Sequence, residues 1–280
     1  MAIEVNFTIR YTGGKADESL LDLYDAAASM HGLAKALGIT SHALVNDGAV
    51  RHRVDTIPNV NFYLHPPKKG SFIELVTIVF DDPAIQAIGS SVLVAAFWDF
   101  INFTWRQATG REAQLTEYKT NKLINENEFL TQEIEHALER PLQLIHRPIQ
   151  NDRNIVIEIK RPRIGTVLKF DKYTFDYVMS QNDSEELENV LGNVTKYNNL
   201  SGIGRFYDDL QRKTISFHCH KDLTDEEKQI LSWSLHSSNQ VNGAGKVLLK
   251  INVIKSNSGH IKRYIIKNVA RNDINQQRVG

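Results

Sequence analysis

A chain of 280 residues with 41% apolar and 24% charged side chains excludes a disordered protein and is long enough for two compact units. Its 33 Lys and Arg balance its 33 Asp and Glu, but unevenly: residues 1–152 hold 13 basic against 19 acidic side chains, and residues 153–280 hold 20 against 14. The single cysteine, Cys219, excludes an internal disulfide framework and fits a cytoplasmic location, and no basic stretch followed by an apolar core marks a secretory signal.

The chain opens on "IEVNFTIRY", where Ile3, Val5, Phe7 and Ile9 alternate with polar residues, the pattern of a strand with one buried face. After "TGGK", Asp17 is placed to cap a helix in which Leu20, Leu21, Leu23, Tyr24, Ala27 and Ala28 recur at helical spacing through Leu37, with Gly38 as its C-terminal cap. A shorter helical piece is expected over 41–44. "NVNFYLHP" and "SFIELVTIVF" read as two strands joined by the turn residues "PPKKG", the second too continuously apolar for an exposed edge and expected to be covered on both faces or nearly so.

Asp81, Asp82 and Pro83 carry the signals of a helix start, and the spacing predicts a helix over 84–105, apolar around nearly its whole circumference. Such a helix is either buried on most sides or placed in lipid. Twenty-two residues would just span a bilayer core, with Trp98 and Trp105 near one interface, but Gln86, Ser90, Ser91, Asp99 and Asn102 interrupt it. A core helix or an oligomer interface is therefore the favoured reading over membrane insertion. After Gly110 a more polar helix carries Leu115, Tyr118, Leu123, Ile124, Phe129 and Leu130 and ends near Arg140 and Pro141. "RPLQLIHRPIQNDRN", with prolines at 141 and 148, reads as a linker and divides the chain into domains 1–148 and 149–280. Beyond it, "IVIEI", "TVLKF" and "FDYVM" are short strand candidates, followed by an acidic helical turn at "DSEELENVL".

"GNVTKYNNLSGIGRF", residues 192–206, sets Gly192, Val194, Tyr197, Asn198, Gly202, Gly204 and Phe206 at intervals that suit coiled strands, since glycine in a strand marks a barrel corner or a close backbone approach. "TISFH" follows, and "KVLLKINVI" and "HIKRYIIKNV" form a closing pair joined by "KSNSG"; Val247, Leu249, Ile251 and Val253 would line an interior. A longer insertion intervenes, with Thr224 and Glu227 spaced as a capping box. Over residues 192–269 this order resembles a cold-shock domain, a five-stranded OB-type barrel. The resemblance implies a face that stacks aromatic rings on unpaired bases. At the corresponding positions this chain carries Lys196, Ile203, Arg205 and Ser216, and of the usual platform only His218 is retained. Each missing stack removes about 1–3 kcal/mol, leaving phosphate contacts from Lys196 and Arg205 as the remaining handle.

Other chemistry is poorly supported. "FHCH" puts His218 and His220 on one strand face and Cys219 on the other, with no second cluster of metal-like spacing, so neither a zinc site nor a Cys/His nucleophile is expected. The Asp pairs at 81–82 and 208–209 read as a helix start and a turn, "KRPR" at 160–163 as a solvated strand end, and there is no phosphate loop or nucleophile elbow. The expectation is a non-enzymatic α+β protein without cofactor: an N-terminal small antiparallel sheet with long helices, and a C-terminal OB-like barrel. That barrel would contact nucleic acid or nucleotide weakly through Lys196, Asn198, Arg205, Ser216 and His218. The alternative is an oligomerising or membrane-associating protein acting through helix 84–105, with the barrel as a protein-interaction module.

Overall fold

A computed structural model describes residues 2–52, 56–66, 73–87, 89–127, 129–241, 244–256 and 261–272. The expected turns "PPKKG" and "KSNSG" lie largely outside them. The chain divides into two compact units, Met1–Met179 and Ser180–Gly280, and the α+β class with a barrel in the second is what the structure shows.

In the first unit, β1 (Ile3–Thr12) alternates buried and open side chains. It lies at the centre of an antiparallel sheet ordered β2-β3-β1-β4-β5, with β2 spanning Val60–Leu64, β3 Ile73–Phe80, β4 Val156–Arg161 and β5 Gly165–Phe170. An interior position accounts for the apolar run of β3. Ile3, Val5, Phe7, Ile9 and Tyr11 share one buried cluster with residues of α1 (Leu23–Val45), α3 (Ser90–Ala108) and α5 (Leu130–Ile145). Edge-on ring contacts, Phe7 with Trp98 at 5.5 Å and Phe80 with Phe97 at 5.9 Å, key the sheet to α3.

Helix termini depart from expectation. Asp17 lies in a 3-10 turn and accepts from the Gly13 amide at 2.8 Å; the cap of α1 is Asp22, which accepts from the Asp25 amide at 3.0 Å. Leu20, Leu23 and Tyr24 are exposed, so the helical spacing there had no core behind it. Gly38 does not end the helix: α1 runs on through 41–44, because Leu33, Ala36, Leu37 and Ile39 are buried and Thr40 accepts from the Trp105 indole at 2.9 Å. Burial of that face outweighs a glycine cost of about 1 kcal/mol.

The expected helix 84–105 is two pieces, α2 (Pro83–Gln86) and α3, parted at Gly89, whose φ of 92° is left-handed. Leu93, Ala96, Phe97, Trp98, Phe100, Ile101 and Trp105 are buried in the core of their own unit, as the core-helix reading required. Among the described residues, no helix is long and apolar enough to cross a membrane. The polar helix after Gly110 is also two, α4 (Tyr118–Glu126) and α5.

The supposed linker is helical. Pro141 lies inside α5, Pro148 in α6 (Arg147–Asn151), and both are buried. Since β4 and β5 complete the sheet around β1, the boundary falls after Met179 rather than at 148. "FDYVM" is not a strand but part of α7 (Lys172–Val178), started by a capping box in which Asp171 and Thr174 serve each other. "DSEELENVL" is not a helical turn: it belongs to β6 (Ser180–Asn198), where pairing with a distant strand overrides local spacing.

The second unit is a closed barrel of β6, β7 (Ile203–Asp208), β8 (Lys213–Cys219), β9 (Val247–Ser256) and β10 (Ile261–Arg271), ordered β10-β8-β7-β6-β9. Helix α8 (Asp225–Gln240) connects β8 to β9 and starts at the Thr224–Glu227 box, both halves of which are formed. Val194, Phe206, Phe217, Val247, Leu249, Ile251 and Tyr264 fill the interior.

Candidate nucleic-acid interface

Numbered within the barrel, the strands run 1-2-3-5-4 and close back on 1, with strand 3 (β8) parallel to strand 5 (β10) and all other pairs antiparallel. This is an OB-type connectivity, with the helix between strands 3 and 4; such barrels bind ligands on the face of strands 2 and 3. The first strand coils enough to serve two neighbours, β9 along its first part and β7 along its last. Two glycines permit the close approach. A Cβ at Gly192 would lie 2.0 Å from the Tyr207 carbonyl oxygen, and one at Gly204 2.3 Å from the Phe217 ring.

Cross-strand register assembles the predicted residues. Lys196 pairs with Arg205 and Arg205 with Ser216, forming one row across β6, β7 and β8. Asn198 pairs with Ile203 and Ile203 with His218, forming the adjacent row. Paired residues point to the same side, and neighbouring rows stand ~7 Å apart along the strands. Phe206, Ile215 and Phe217 alternate with these positions and fill the core, so the row of Lys196, Arg205 and Ser216 faces away from it. All five predicted residues are half-buried. A bulge between Val194 and Lys196 sets the register of the first row.

The residues are not equivalent. Asn198 builds its own turn: its Oδ1 accepts from the Leu200 amide at 3.0 Å and the Ser201 amide at 3.3 Å, leaving only its amide nitrogen for a ligand. Ile203, where the family pattern has a ring, is 6% exposed. Tyr197 turns inward, its ring 5.9 Å from Phe217, and its hydroxyl accepts from Cys219 Sγ at 3.8 Å. Sequence reasoning missed Tyr207. It is 38% exposed, two residues beyond Arg205 on β7, and forms a third row with Asn193 and Thr214. The signal was available, since strand alternation from Arg205 puts residue 207 on the same face. Tyr207 therefore supplies an aromatic ring one row from the basic pair.

The rejected candidates have concrete roles. Asp208 is buried, accepting from the Tyr264 hydroxyl at 2.7 Å and from the Gln211 amide at 2.8 Å. Asp209 pairs with Lys246 at 2.6 Å. At the other pair, Asp82 accepts from Asn59 Nδ2 at 3.0 Å and Asp81 from Gln86 Nε2 at 3.2 Å. His220 faces Asp222 at 3.3 Å, and burial raises the Cys219 thiol above its ordinary range, unlike an activated nucleophile. Among the described residues, no three His, Cys, Asp or Glu converge as metal ligands. In "KRPR", Lys160 pairs with Glu158 at 2.9 Å, while the Arg161 guanidinium lies 5.2 Å from the centre of the Trp98 ring. Redrawn at the structural boundary, residues 180–280 hold 14 Lys and Arg against 11 Asp and Glu, so the basic excess of the barrel unit is only 3.

Two family models match the chain, in agreement with its two units. One, described as Domain of unknown function (DUF7946), covers residues 7–179; the other, Family of unknown function (DUF7947), covers residues 186–270. No curated protein and no solved structure matches the chain.

Proposed function

This chain belongs to the DUF7946 family, and from the geometry of its barrel we propose that the β6–β7–β8 face binds single-stranded nucleic acid with modest, salt-sensitive affinity. The observation that carries the reading is the row Lys196–Arg205–Ser216, in register across strands 1 to 3 of an OB-type order, with the Tyr207 ring one row away. Two cations contact the phosphate backbone without reading sequence, and a hydroxyl accepts or donates beside them. One ring stacks on one base, for about 1–3 kcal/mol, where a full platform would supply several such terms. Binding is therefore mainly ionic.

A fluorescein-labelled thymidine dodecamer, followed by anisotropy on the full chain, tests this. Affinity should fall steeply between about 50 and 200 mM salt. Arg205→Ala and Lys196→Ala should each weaken binding and flatten the salt slope, whereas Tyr207→Ala should weaken it about tenfold with the slope kept. Absence of binding at low salt, or binding indifferent to all three substitutions in folded protein, would discard the proposal.

A further inference from the structure

Beyond the Tyr207 row the β7–β8 hairpin continues for one more pair, Asp208 with Lys213, and turns through residues 209–212. That turn is fixed at several points. Asp208 is buried, accepting from the Tyr264 hydroxyl through one oxygen at 2.7 Å and from the Gln211 amide through the other at 2.8 Å. The Asp209 amide donates to the Leu191 carbonyl at 3.1 Å, and Lys246 Nζ reaches both Asp209 oxygens, at 2.6 and 2.7 Å. Arg212, with a φ of 52°, is the left-handed residue that returns the chain into β8.

The acids of this turn are therefore committed, and its bases are not. Asp209 is neutralised by Lys246, and Asp208 is turned into the barrel toward Tyr264. Arg212 and Lys213 are exposed, and among the described residues no carboxylate pairs with either. Between Arg212 on one side and Tyr207 on the other, Leu210 stands at the tip, 88% exposed. A turn held this firmly keeps that side chain in water, where it adds nothing to the core.

The hairpin thus extends the composition of the barrel face past its last row. Cations suit a phosphate backbone, and an apolar surface beside them suits the face of a base. The three rows, from His218 to Thr214 along β8, cover ~13 Å; carried on to residue 212 the track covers ~20 Å. OB-type barrels engage about four nucleotides or more, which favours the longer track.

Resting on the reading of the barrel face given above, we propose that the bound single strand continues past Tyr207 over the β7–β8 turn, where Arg212 and Lys213 hold phosphates and Leu210 lies against a base. The labelled thymidine dodecamer, titrated into the full chain, tests this. Arg212→Asn, which tolerates the left-handed backbone, and Lys213→Gln should each weaken binding about fivefold at 0.1 M salt. Each should also lower the slope of log affinity against log salt by about 0.7, the share of one phosphate contact on a single strand. Leu210→Ser should weaken binding comparably with the slope kept, and in the unmutated chain the dodecamer should move the amide resonances of residues 209–213 along with those of β7. A dodecamer that needs Arg205 but is indifferent to all three turn substitutions, or that leaves those amides unmoved, would overturn the continuation and leave the face reading standing. No binding to the unmutated chain at low salt would overturn both.

Discussion

At the scale of single residues, buried polar groups hold the fold to particular solution conditions. His146 is fully buried, its Nδ1 2.7 Å from the Leu142 carbonyl oxygen and its Nε2 2.9 Å from Thr174 Oγ1. Burial pushes its imidazole down to about 4, against the opposing pull of the Leu142 carbonyl and Asp171. The sign follows from which state binds the proton. Between about 6.5 and 4 the unfolded chain is protonated at this residue and the folded one is not, so stability falls as pH drops through that window, by roughly 3 kcal/mol. Denaturant titrations of wild type and His146→Gln at pH 7 and pH 4.5 check this: the variant should lose this part of the pH dependence. For Asp99, burial alone would raise the carboxyl, but the hydrogen bonds from Thr120, Thr116 and Glu117 outweigh it and hold it below the ordinary carboxylate range. That carboxylate, from the middle of α3, supplies the acceptors at the start of α4 that no side chain of α4 itself provides.

Between elements, side chains make ties where a regular pattern breaks. β10 shifts register between Ile266 and Asn268, and there Glu227, at the first turn of α8, accepts from Asn268 Nδ2 at 2.6 Å and the Val269 amide at 3.2 Å. Its other oxygen accepts from the Thr224 amide at 2.8 Å, so one side chain both caps the helix and clasps it to the barrel. Glu227→Ala should destabilise the barrel unit by about 1–2 kcal/mol and Glu227→Gln by less, since one acceptor oxygen survives. Ser234 does the same at the β6 bulge, accepting from the Val194 amide at 3.0 Å and donating to the Gly245 carbonyl at 2.6 Å. In the first unit, α1 meets α5 at Gly32, where an added Cβ would lie 2.5 Å from the Pro141 carbonyl oxygen. Gly32→Ala should therefore cost about 1–3 kcal/mol by overpacking, although alanine is the better helix former; thermal unfolding decides between the two effects.

For the molecule as a whole, two cores and two family matches coincide. Residues 1–179 and 180–280, expressed separately, should each unfold cooperatively, whereas a cut at 148 would remove β4 and β5 from the sheet and leave β1 with an open edge along its whole length. Circular dichroism and urea titration of fragments 1–179, 180–280 and 1–148 distinguish these outcomes, and an aggregating 1–179 fragment would contradict the boundary.

Period and turn chemistry by themselves determined the β1 alternation, the interior place of β3 and the capping box of α8, and favoured a buried α3; the barrel and its Lys196, Arg205 and Ser216 positions came from the resemblance of residues 192–269 to a cold-shock domain. Each of these is encoded in residues close together in the chain, or in a two-residue repeat that any pairing must respect. Only the tertiary structure decided the run of α1 on to Val45, the fate of Pro141, the strand at "DSEELENVL" and the unit boundary. In every such case a distant partner set the outcome: buried α1 side chains carried the helix past Gly38, β9 drew an acidic segment into a sheet, and β1 gathered strands from 150 residues away. The energy of packing against a remote surface exceeds the propensities of a few consecutive residues, and no local pattern announces which surface that will be.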